Sequence, residues 1–554
     1  MIRAQPSFEP SSAERAGSPA RTPVEVTGWL LLAGVVLYLC VFNGLTTLGF
    51  VGPDEPRYAS IARAMAASQD WVTPRLYGEP WLEKPILYYW AAGLAYRLGG
   101  ETEWAARLPS ALSAGLTSLA VAWLGWRLFG ALTGAIAFVV FPTTVATFAF
   151  ARGATTDMLF SASLTVAMVA AAPRLLTNDR RRRWAAMFGV AVGFATLAKG
   201  PAGILLAVGS VMLWGVASGQ TARLRALAGP LAVTCFALVS LPWYVFSILR
   251  TPEFVEVFLI GHNIDRFLTP VFRHQQPFWF FGPILVLGIA PWSAFLVATA
   301  RRGYHSWRDG RWRASRALYV AAWIVFPCVF FSLSQSKLPG YIMPTIAPLA
   351  VVLAVTITQL LDRDDRSLRW VLFGTATVFA SLTTAFALPG LLIADVPGLA
   401  ANDVRPLAPI VGVASVTIAA LAYLRRSHAA VAAVPLGFAL AVGYLNTSVA
   451  PVLDPLISPR ATARRVQELG DGNVEVYRLQ RGWHYGLNYY LDREVAEWDE
   501  RGSPSPTLVV TPSDAIDALT RPGFSVETVE HISTEAVLVK VRTIESTGGR
   551  SRKN

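Results

Sequence analysis

The fold is decided by residues 29–58, which read WLLLAGVVLYLCVFNGLTTLGFVGPDEPRY. Residues 29–48 carry no charge, and a helix of roughly 17–25 mainly apolar residues is long enough to span a bilayer. This apolar run is followed closely by Asp54, Glu55 and Arg57. The stretch therefore predicts a membrane-spanning helix that leads into a charged loop at one membrane surface.

The rest of the chain shares this apolar character. Hydrophobic residues make up 53% of the 554 residues and charged residues only 15%, whereas a soluble protein carries about 25% charged residues. The length rule for spanning helices predicts about 13 spans. They cover residues 29–48, 110–128, 132–150, 157–172, 184–198, 201–217, 227–249, 278–300, 317–333, 341–361, 370–388, 407–424 and 429–446. The segment 86–98 is too short to span and reads as interfacial or re-entrant.

Arginine clusters predict the orientation of these spans. Cytoplasmic loops of membrane proteins are enriched in arginine and lysine. If residues 1–27, which read as a disordered tail, lie in the cytoplasm, then arginines fall in six consecutive inside loops. An odd number of spans places the region after residue 450 outside. There, residues 473–479, 507–511, 526–531 and 536–541 read as strands and 513–519 as a helix. We expect a membrane domain at 28–449 and a small α/β domain at 450–554.

The formal net charge of +12 does not indicate a nucleic-acid binder. Such a protein gathers its basic residues on one folded face, whereas these arginines fall in short clusters between apolar runs. The three cysteines, Cys40, Cys235 and Cys328, lie inside apolar runs without metal-ligand spacing. They read as small buried apolar residues.

With this topology, ionisable residues from separate loops converge on the outer side. Such groups are costly at membrane depth and usually mark function. Three of the five lysines in the chain are among them, and a compact ammonium suits a point contact to phosphate. The polar residues of these loops are Asp54, Glu55, Arg57, Glu83, Lys84, Asp157, Lys199, His262, Arg266, Lys337 and Tyr341.

Each residue also has a structural interpretation. Asp54 and Glu55 precede an amphipathic helical pattern and suit the positive end of its dipole, so they could simply cap it. Asp157 could cap a span, Lys199 could extend to the interface, and His262 could make an ordinary polar contact. The convergence of several loops favours a functional site over these separate explanations.

Four motifs resemble the first outer loop of a known family. They are DEPRYA at 54–59, DWVTP at 70–74, EKP at 83–85 and YW at 89–90. Their order and spacing are similar to those of the bacterial aminoarabinose lipid A transferases, which are similar in turn to the protein O-mannosyltransferases. The later motifs RG…D at 152–157, KGP at 199–201 and SQSKLPGYI at 334–342 agree. Gln69, Leu82 and Ala64 depart from the usual pattern, which bears on the sugar and the acceptor.

The resemblance implies a GT-C fold, with interfacial helices in the first outer loop, in the inner membrane of a bacterium. It implies a polyprenyl-phosphate sugar donor, such as undecaprenyl phosphate, and an acceptor that is lipid A, another glycan or a protein. It also implies that residues 28–449 form the catalytic domain and that the site and the 450–554 domain are periplasmic. A divalent metal is a possible cofactor.

The resemblance also implies roles for the polar residues. The catalytic candidates are Asp54, Glu55, Glu83 and Asp157. The candidates for binding the donor phosphate are Arg57, Lys84, Lys199, Arg266, Lys337 and Tyr341. Glu83 and His262 are candidates for a metal contact. Attack from the face opposite the leaving phosphate predicts inversion at the anomeric carbon.

Other functions were weighed against a transferase. A flippase or transporter of lipid-linked sugars would be expected to place charges near the membrane midplane and to contain repeats with broken helices. A nucleotide-sugar enzyme would be expected to contain a glycine-rich phosphate loop. A scaffold would leave the outer acids and lysines unexplained. The sequence therefore predicts a transferase, with a flippase as the alternative.

Overall fold

The computed structural model describes residues 23–271, 274–362, 366–388, 399–470, 473–499 and 506–544. Most of the predicted tail, residues 1–22, lies outside these ranges. The helices of the outer loop and the membrane bundle are α1 Pro23–Leu37, α2 Asp54–Ser68, α3 Leu87–Gly99, α4 Glu103–Phe129, α5 Ala131–Val140, α6 Val145–Ala151, α7 Asp157–Leu176, α8 Arg182–Lys199, α9 Ala202–Ser218, α10 Pro230–Arg250, α11 Arg266–Leu268, α12 Phe281–Gly288, α13 Phe295–Arg308, α14 Arg316–Leu333, α15 Met343–Asp362, α16 Arg366–Ala387, α17 Ala401–Val404, α18 Leu407–Tyr423 and α19 Ser427–Tyr444.

The remaining elements lie mostly towards the C-terminus. The helices are α20 Ala450–Ile457, α21 Arg460–Glu468, α22 Arg481–Tyr490 and α23 Ile516–Leu519. The strands are β1 Arg75–Leu76, β2 Glu79–Pro80, β3 Val474–Val476, β4 Thr507–Thr511, β5 Phe524–Ser533 and β6 Ala536–Thr543. Wider π-turns occupy Tyr38–Phe42, Val255–Asp265 and Leu445–Val449. Tighter 3-10 turns occupy Thr221–Ala226, Trp292–Ala294, Arg311–Ala314, Pro339–Ile342 and Ser513–Ala515.

The structure does not confirm the predicted count of 13 spans. Among the described residues, eight helices are long and apolar enough to cross a membrane, and up to ten if each of two bent pairs is one span. The other three predicted segments form α8, α9 and α18, and the last two are 17-residue helices. Hydropathy located every apolar segment, but the exact number of crossings depends on helix length, tilt and bending.

Two predicted spans are broken. The segment 132–150 forms α5 and α6, which meet at an angle of 61°. The segment 278–300 falls in α12 and the helical stretch Trp292–Arg308, which are bent by 119°. Pro142 and Pro291 lie at the two breaks, and proline cannot donate the backbone hydrogen bond that would continue a helix.

The bundle packs through small residues. Helix α7 contacts α8, α8 contacts α10, and α4 contacts α5. At Gly189 in α8, an added Cβ would lie 2.1 Å from the carbonyl oxygen of Ala232 in α10. Small residues of this kind let membrane helices approach closely.

The first outer loop forms a second core above the bundle. Helix α2 packs on α3, and the buried rings of Tyr58, Tyr88 and Tyr89 lie within 6.0 Å of one another. The predicted amphipathic helix is α2, and the predicted interfacial segment is α3. The loop is therefore a folded platform that carries the polar residues from 54 to 84.

The C-terminal region contains a four-stranded sheet in the order β3-β4-β6-β5. Strands β3 and β4 are parallel, with Val474 opposite Leu508, while the β4–β6 and β5–β6 pairs are antiparallel. The four predicted strands and the helical turn at 513–519 are confirmed. Helices α21 and α22 were not predicted, and they join this sheet to the rest of the molecule.

Replacing Gly189 by alanine is expected to destabilise the protein. The backbone oxygen of Ala232 cannot move aside as a side chain can, and overpacking typically costs about 1–3 kcal/mol. The thermal unfolding midpoint in detergent should fall. The control is Gly34→Ala in α1, where an added Cβ meets nothing within 4 Å. Equal midpoints for both variants would contradict this account of the α8–α10 contact.

Candidate active site

Asp54 is the accessible acid at the start of α2. Its side chain is 52% exposed, and it forms an ion pair with Arg57. The other guanidinium nitrogen of Arg57 lies 3.9 Å from Glu83 Oε2. The planar group also lies over the Trp81 ring, 4.8 Å from its centroid. Arg57, which was predicted to bind phosphate, links the two acids in the structure.

Glu55 points the other way, into the protein, and is buried. Its Oε1 accepts hydrogen bonds from Arg107 Nε at 2.9 Å and from the Ala154 amide at 2.8 Å. Its Oε2 accepts from Arg107 Nη2 at 2.8 Å and from the Val51 amide at 2.9 Å. Both oxygens are thus fully engaged. Glu55 was predicted to be catalytic, and in the structure protein donors occupy both of its oxygens next to Asp54.

Lys84 lies where several charges meet. Burial and the positive charges of Arg266 and Lys199 lower the pKa of Lys84 to about 8, against the opposing effect of Asp54 and Asp157. Asp54 and Lys84 lie in the first predicted outer loop, and Asp157, Lys199 and Arg266 come from three further loops, so the charges of four predicted loops act on Lys84. Within the described part of the chain, no ion pair neutralises the Lys84 ammonium, whereas Arg57 and Lys199 each have a carboxylate partner.

Asp157 opens α7 and forms an ion pair with Lys199, the last residue of α8. The Lys199 ammonium lies 5.2 Å from the centroid of the Tyr341 ring, and the Arg266 guanidinium lies 5.8 Å from the same centroid. Gly340 permits close packing of the turn before Tyr341, because an added Cβ there would lie 2.9 Å from the Phe150 ring and 3.4 Å from the Asp157 carboxylate carbon. The second acid is therefore held by a cation, with Tyr341 beside it.

Lys337 stands apart from this cluster. It is buried, and its ammonium donates a hydrogen bond of 2.6 Å to the Ser334 carbonyl. Its backbone amide donates to the His274 carbonyl. Lys337 was predicted to bind phosphate, and in the structure its ammonium and amide contact backbone carbonyls near the turn that precedes Tyr341.

The residues proposed for a metal do not fit one. Burial and the positive charges of Lys84, Arg266 and Arg57 lower the pKa of His262 to about 4, so its imidazole is neutral at pH 7. A divalent cation at His262 and Glu83 would share the space with three cations. Among the described residues, no group of three or more histidine, cysteine or acidic side chains could hold a metal ion. The environment suits an anion instead.

Two residues that contribute contacts at the site, Arg107 and Tyr485, were not predicted from the sequence. Arg107 lies near the start of α4, in the predicted first outer loop, where it is one of five arginines between residues 49 and 109 and no local pattern distinguishes it. Tyr485 comes from the C-terminal region, and its ring centroid lies 5.7 Å from the Arg57 guanidinium. No local pattern could have placed Tyr485 there, since it depends on how the two ends of the chain pack.

Comparisons with known proteins identify relatives of the chain. The sequence model of the dolichyl-phosphate-mannose-protein mannosyltransferase family matches residues 27–258. The chain is 31% identical over 484 residues to the undecaprenyl phosphate-alpha-4-amino-4-deoxy-L-arabinose arabinosyl transferase of Pectobacterium carotovorum subsp. carotovorum, covering 85% of each chain. It is 32% identical over 432 residues to that of Enterobacter sp., covering 75% of each. A match to the Edwardsiella ictaluri protein of the same name is 32% identical and spans 62% of each.

A solved structure extends the likeness to the fold. The crystal structure of ArnT from Cupriavidus metallidurans bound to undecaprenyl phosphate superposes with a TM-score of 0.77 and 26% sequence identity. The match covers 94% of this chain and 99% of that one. The chain therefore belongs to the undecaprenyl phosphate-alpha-4-amino-4-deoxy-L-arabinose arabinosyl transferase family, and it is an integral membrane glycosyltransferase with the GT-C fold.

Proposed function

We propose that this protein transfers 4-amino-4-deoxy-L-arabinose from undecaprenyl phosphate to lipid A on the outer face of the bacterial inner membrane. The names of its relatives support the sugar and the carrier, and the resemblance of the outer-loop motifs supports the acceptor. The observation that carries the proposal is the group of cations beside Tyr341, where the Lys199 ammonium and the Arg266 guanidinium lie 5.2 and 5.8 Å from the ring centroid. Lys199 is paired with Asp157, and the positive charges of Arg266 and Lys199 also lower the pKa of Lys84, so we call this group the cluster around Lys84. A phosphate monoanion or diester suits this cluster.

The chemistry follows from where charge develops. The bond between the anomeric carbon and the phosphate oxygen breaks, and its electron pair leaves with the phosphate. Lys84 and Arg266 stabilise that charge as fixed electrostatic partners, together with the Tyr341 hydroxyl. The acceptor oxygen forms its bond to the anomeric carbon from the opposite face, which inverts the configuration.

Asp54 acts on the acceptor. It is more exposed than Asp157, which Lys199 holds, and Arg57 keeps its carboxylate oriented. For a hydroxyl acceptor, Asp54 takes the proton as general base. For a phosphate acceptor, no proton need be removed, and Asp54 orients the incoming group. Glu83 holds the far side of Arg57, and Asp157 keeps Lys199 in place.

The orientation is inferred from charge. Exposed arginines on the helical segments 295–316 lie in a predicted inside loop, and cytoplasmic loops carry such a bias. The same rule puts the cluster around Lys84 and the C-terminal sheet on the opposite, periplasmic side. A flippase of lipid-linked sugars remains the alternative to test, although the family relationship favours a transferase.

The first test compares host lipids by mass spectrometry. A deletion strain should lose aminoarabinose from lipid A and accumulate the undecaprenyl-phosphate-linked sugar on the outer face, and the wild-type gene should reverse both effects. If the linked sugar is instead trapped on the cytoplasmic face, the protein is a flippase. If another glycan loses a sugar, the named acceptor is wrong.

Asp54→Asn is expected to lower the transfer rate by about 10²–10⁴-fold, the usual contribution of a positioned acid or base. The rate should be measured with purified protein in proteoliposomes. The matched control is Glu101→Gln, which removes an acid of similar exposure, 54%, from the same outer loop. A folded Asp54→Asn protein with wild-type activity would contradict the role given to Asp54.

Binding of undecaprenyl phosphate should depend on pH through Lys84. The pKa of Lys84 is lowered to about 8, and a bound phosphate favours the protonated ammonium. Below pH 8 the ammonium is charged and affinity should be nearly constant. Above pH 8 the free protein loses this charge, so affinity should fall by up to about tenfold for each pH unit. Tryptophan fluorescence titrations with undecaprenyl phosphate from pH 7 to pH 9.5 would measure this affinity.

The control for this titration is Lys84→Arg. A guanidinium stays charged over this range, so the variant should bind with an affinity that does not fall between pH 8 and pH 9.5, whatever its absolute value. A decline of equal slope in both proteins would assign the pH dependence to another group.

A further inference from the structure

The segment between the first span and Asp54 has an unusual hydrogen-bonding pattern. Residues 43–51, here called the 43–51 linker, form turns and extended backbone rather than an α-helix. Helices satisfy their own backbone groups, but a linker without regular structure must find other partners for the groups that it buries. In this protein those partners are side chains from distant parts of the chain.

Two arginines hold linker carbonyls from the membrane domain. Arg152 donates to the carbonyls of Asn43 and Gly44. Arg107 donates through Nη1 to the carbonyls of Leu45 and Leu48, at 2.7 and 2.6 Å, and through Nη2 to that of Gly49, at 2.8 Å.

The two arginines also tie the linker to both acids of the site. Arg107 uses its remaining donors on Glu55, next to Asp54. Arg152 begins the loop that leads to Asp157. The linker, Asp54 and the Asp157 loop are thus bonded into one unit.

A third arginine comes from the C-terminal region. Arg460, the first residue of α21, donates to the carbonyls of Thr46 and Thr47 at 3.0 and 2.9 Å. The same guanidinium pairs with Asp454 at 2.7 Å and with Glu103 at 3.3 Å. Together, Arg107, Arg152 and Arg460 donate a side-chain hydrogen bond to every linker carbonyl from residue 43 to residue 49.

The linker amides nearest the site are held in the same way. The Gly49 amide donates to Asp454 Oδ1 at 2.6 Å, and the Phe50 amide donates to the Tyr490 hydroxyl at 2.8 Å. The Tyr490 hydroxyl in turn donates to Glu103 at 3.0 Å. Only three residues separate this bonded stretch from Asp54, where α2 begins.

We propose that Arg460 is a positioning residue for sugar transfer, and that the C-terminal region completes the active site by fixing the 43–51 linker. Arg460 touches neither donor nor acceptor in this account. It keeps the linker backbone in the one conformation that presents Asp54 beside Lys84. The inference rests on the proposed function and adds to it a catalytic requirement for residues after 450.

The test compares Arg460→Gln with Arg465→Gln, a matched variant one turn further along α21. Arg465 pairs with Glu468 and Glu530 and makes no linker contact in the described structure. Arg460→Gln is expected to lower kcat tenfold or more while the KM for the undecaprenyl-phosphate-linked sugar stays within twofold, because Lys84 and Arg266 are untouched. Hydrogen exchange should quicken in peptides covering 43–51. Arg465→Gln should match wild type in both measurements.

Two further variants make the result decisive. Arg460→Lys keeps the charge but cannot hold two carbonyls and two acids at once, so its kcat should fall between Arg460→Gln and wild type. If Arg460→Gln does not fold, Glu103→Gln serves instead, since it weakens the contacts of both Arg460 and Tyr490 and should lower kcat without changing the donor KM.

The inference is overturned if the folded Arg460→Gln protein, or its substitute, keeps wild-type kcat, or if the whole loss appears in the donor KM. Wild-type protein and Asp54→Asn measured alongside separate this failure from that of the proposed function. If wild type transfers the sugar, Asp54→Asn is inactive and Arg460→Gln is fully active, only the linker inference fails. If both variants are fully active, the role given to Asp54 fails as well, and if wild type transfers no sugar, the proposed function fails.

Discussion

The structure depends on how the backbone of the 43–51 linker is satisfied. Buried peptide groups outside a helix or sheet cost free energy unless they are hydrogen-bonded, and here three arginines from three regions supply the donors for the linker carbonyls. Guanidinium groups suit this task because one planar group offers five donors in fixed directions. The same contacts determine where Asp54 lies, how the loop of Asp157 approaches it, and where the C-terminal region docks.

The charged residues therefore fall into two groups, one that stabilises the fold and one that forms the site. The buried Glu55–Arg107 pair is fully hydrogen-bonded and serves the fold, and breaking such a pair typically costs about 3–5 kcal/mol. Asp54, one residue earlier, faces the other way and remains accessible. The cations around Asp54 differ. Arg57 and Lys199 are paired with acids, whereas burial and the positive charges of Arg266 and Lys199 lower the pKa of Lys84. The positive charge of such a site favours the binding of an anion.

Much of this organisation could be predicted from local sequence. Uncharged runs located every apolar segment, alternation located the four strands of the C-terminal sheet, and the loop motifs placed Asp54, Lys84, Asp157 and Tyr341 in one group. The positions of Pro142 and Pro291 could also have predicted the two helix breaks, but these breaks were not predicted. The roles of Glu55, Lys337 and Arg107 could not be predicted, because they depend on which backbone groups lie within about 3 Å after folding. The docking of α21 and α22 on the linker joins residues some 400 positions apart, and single-sequence periodicity does not carry that information.

In the proposed mechanism, the cluster around Lys84 receives the phosphate of a lipid-linked sugar. The most direct measurement is a cryo-electron microscopy structure of the full chain in nanodiscs with undecaprenyl phosphate. The account predicts phosphate density between Lys84 and Arg266, within hydrogen-bonding reach of the Tyr341 hydroxyl and on the same side as Asp54. A phosphate bound at the exposed arginines of segment 295–316, with the Lys84 cluster unchanged, would contradict it.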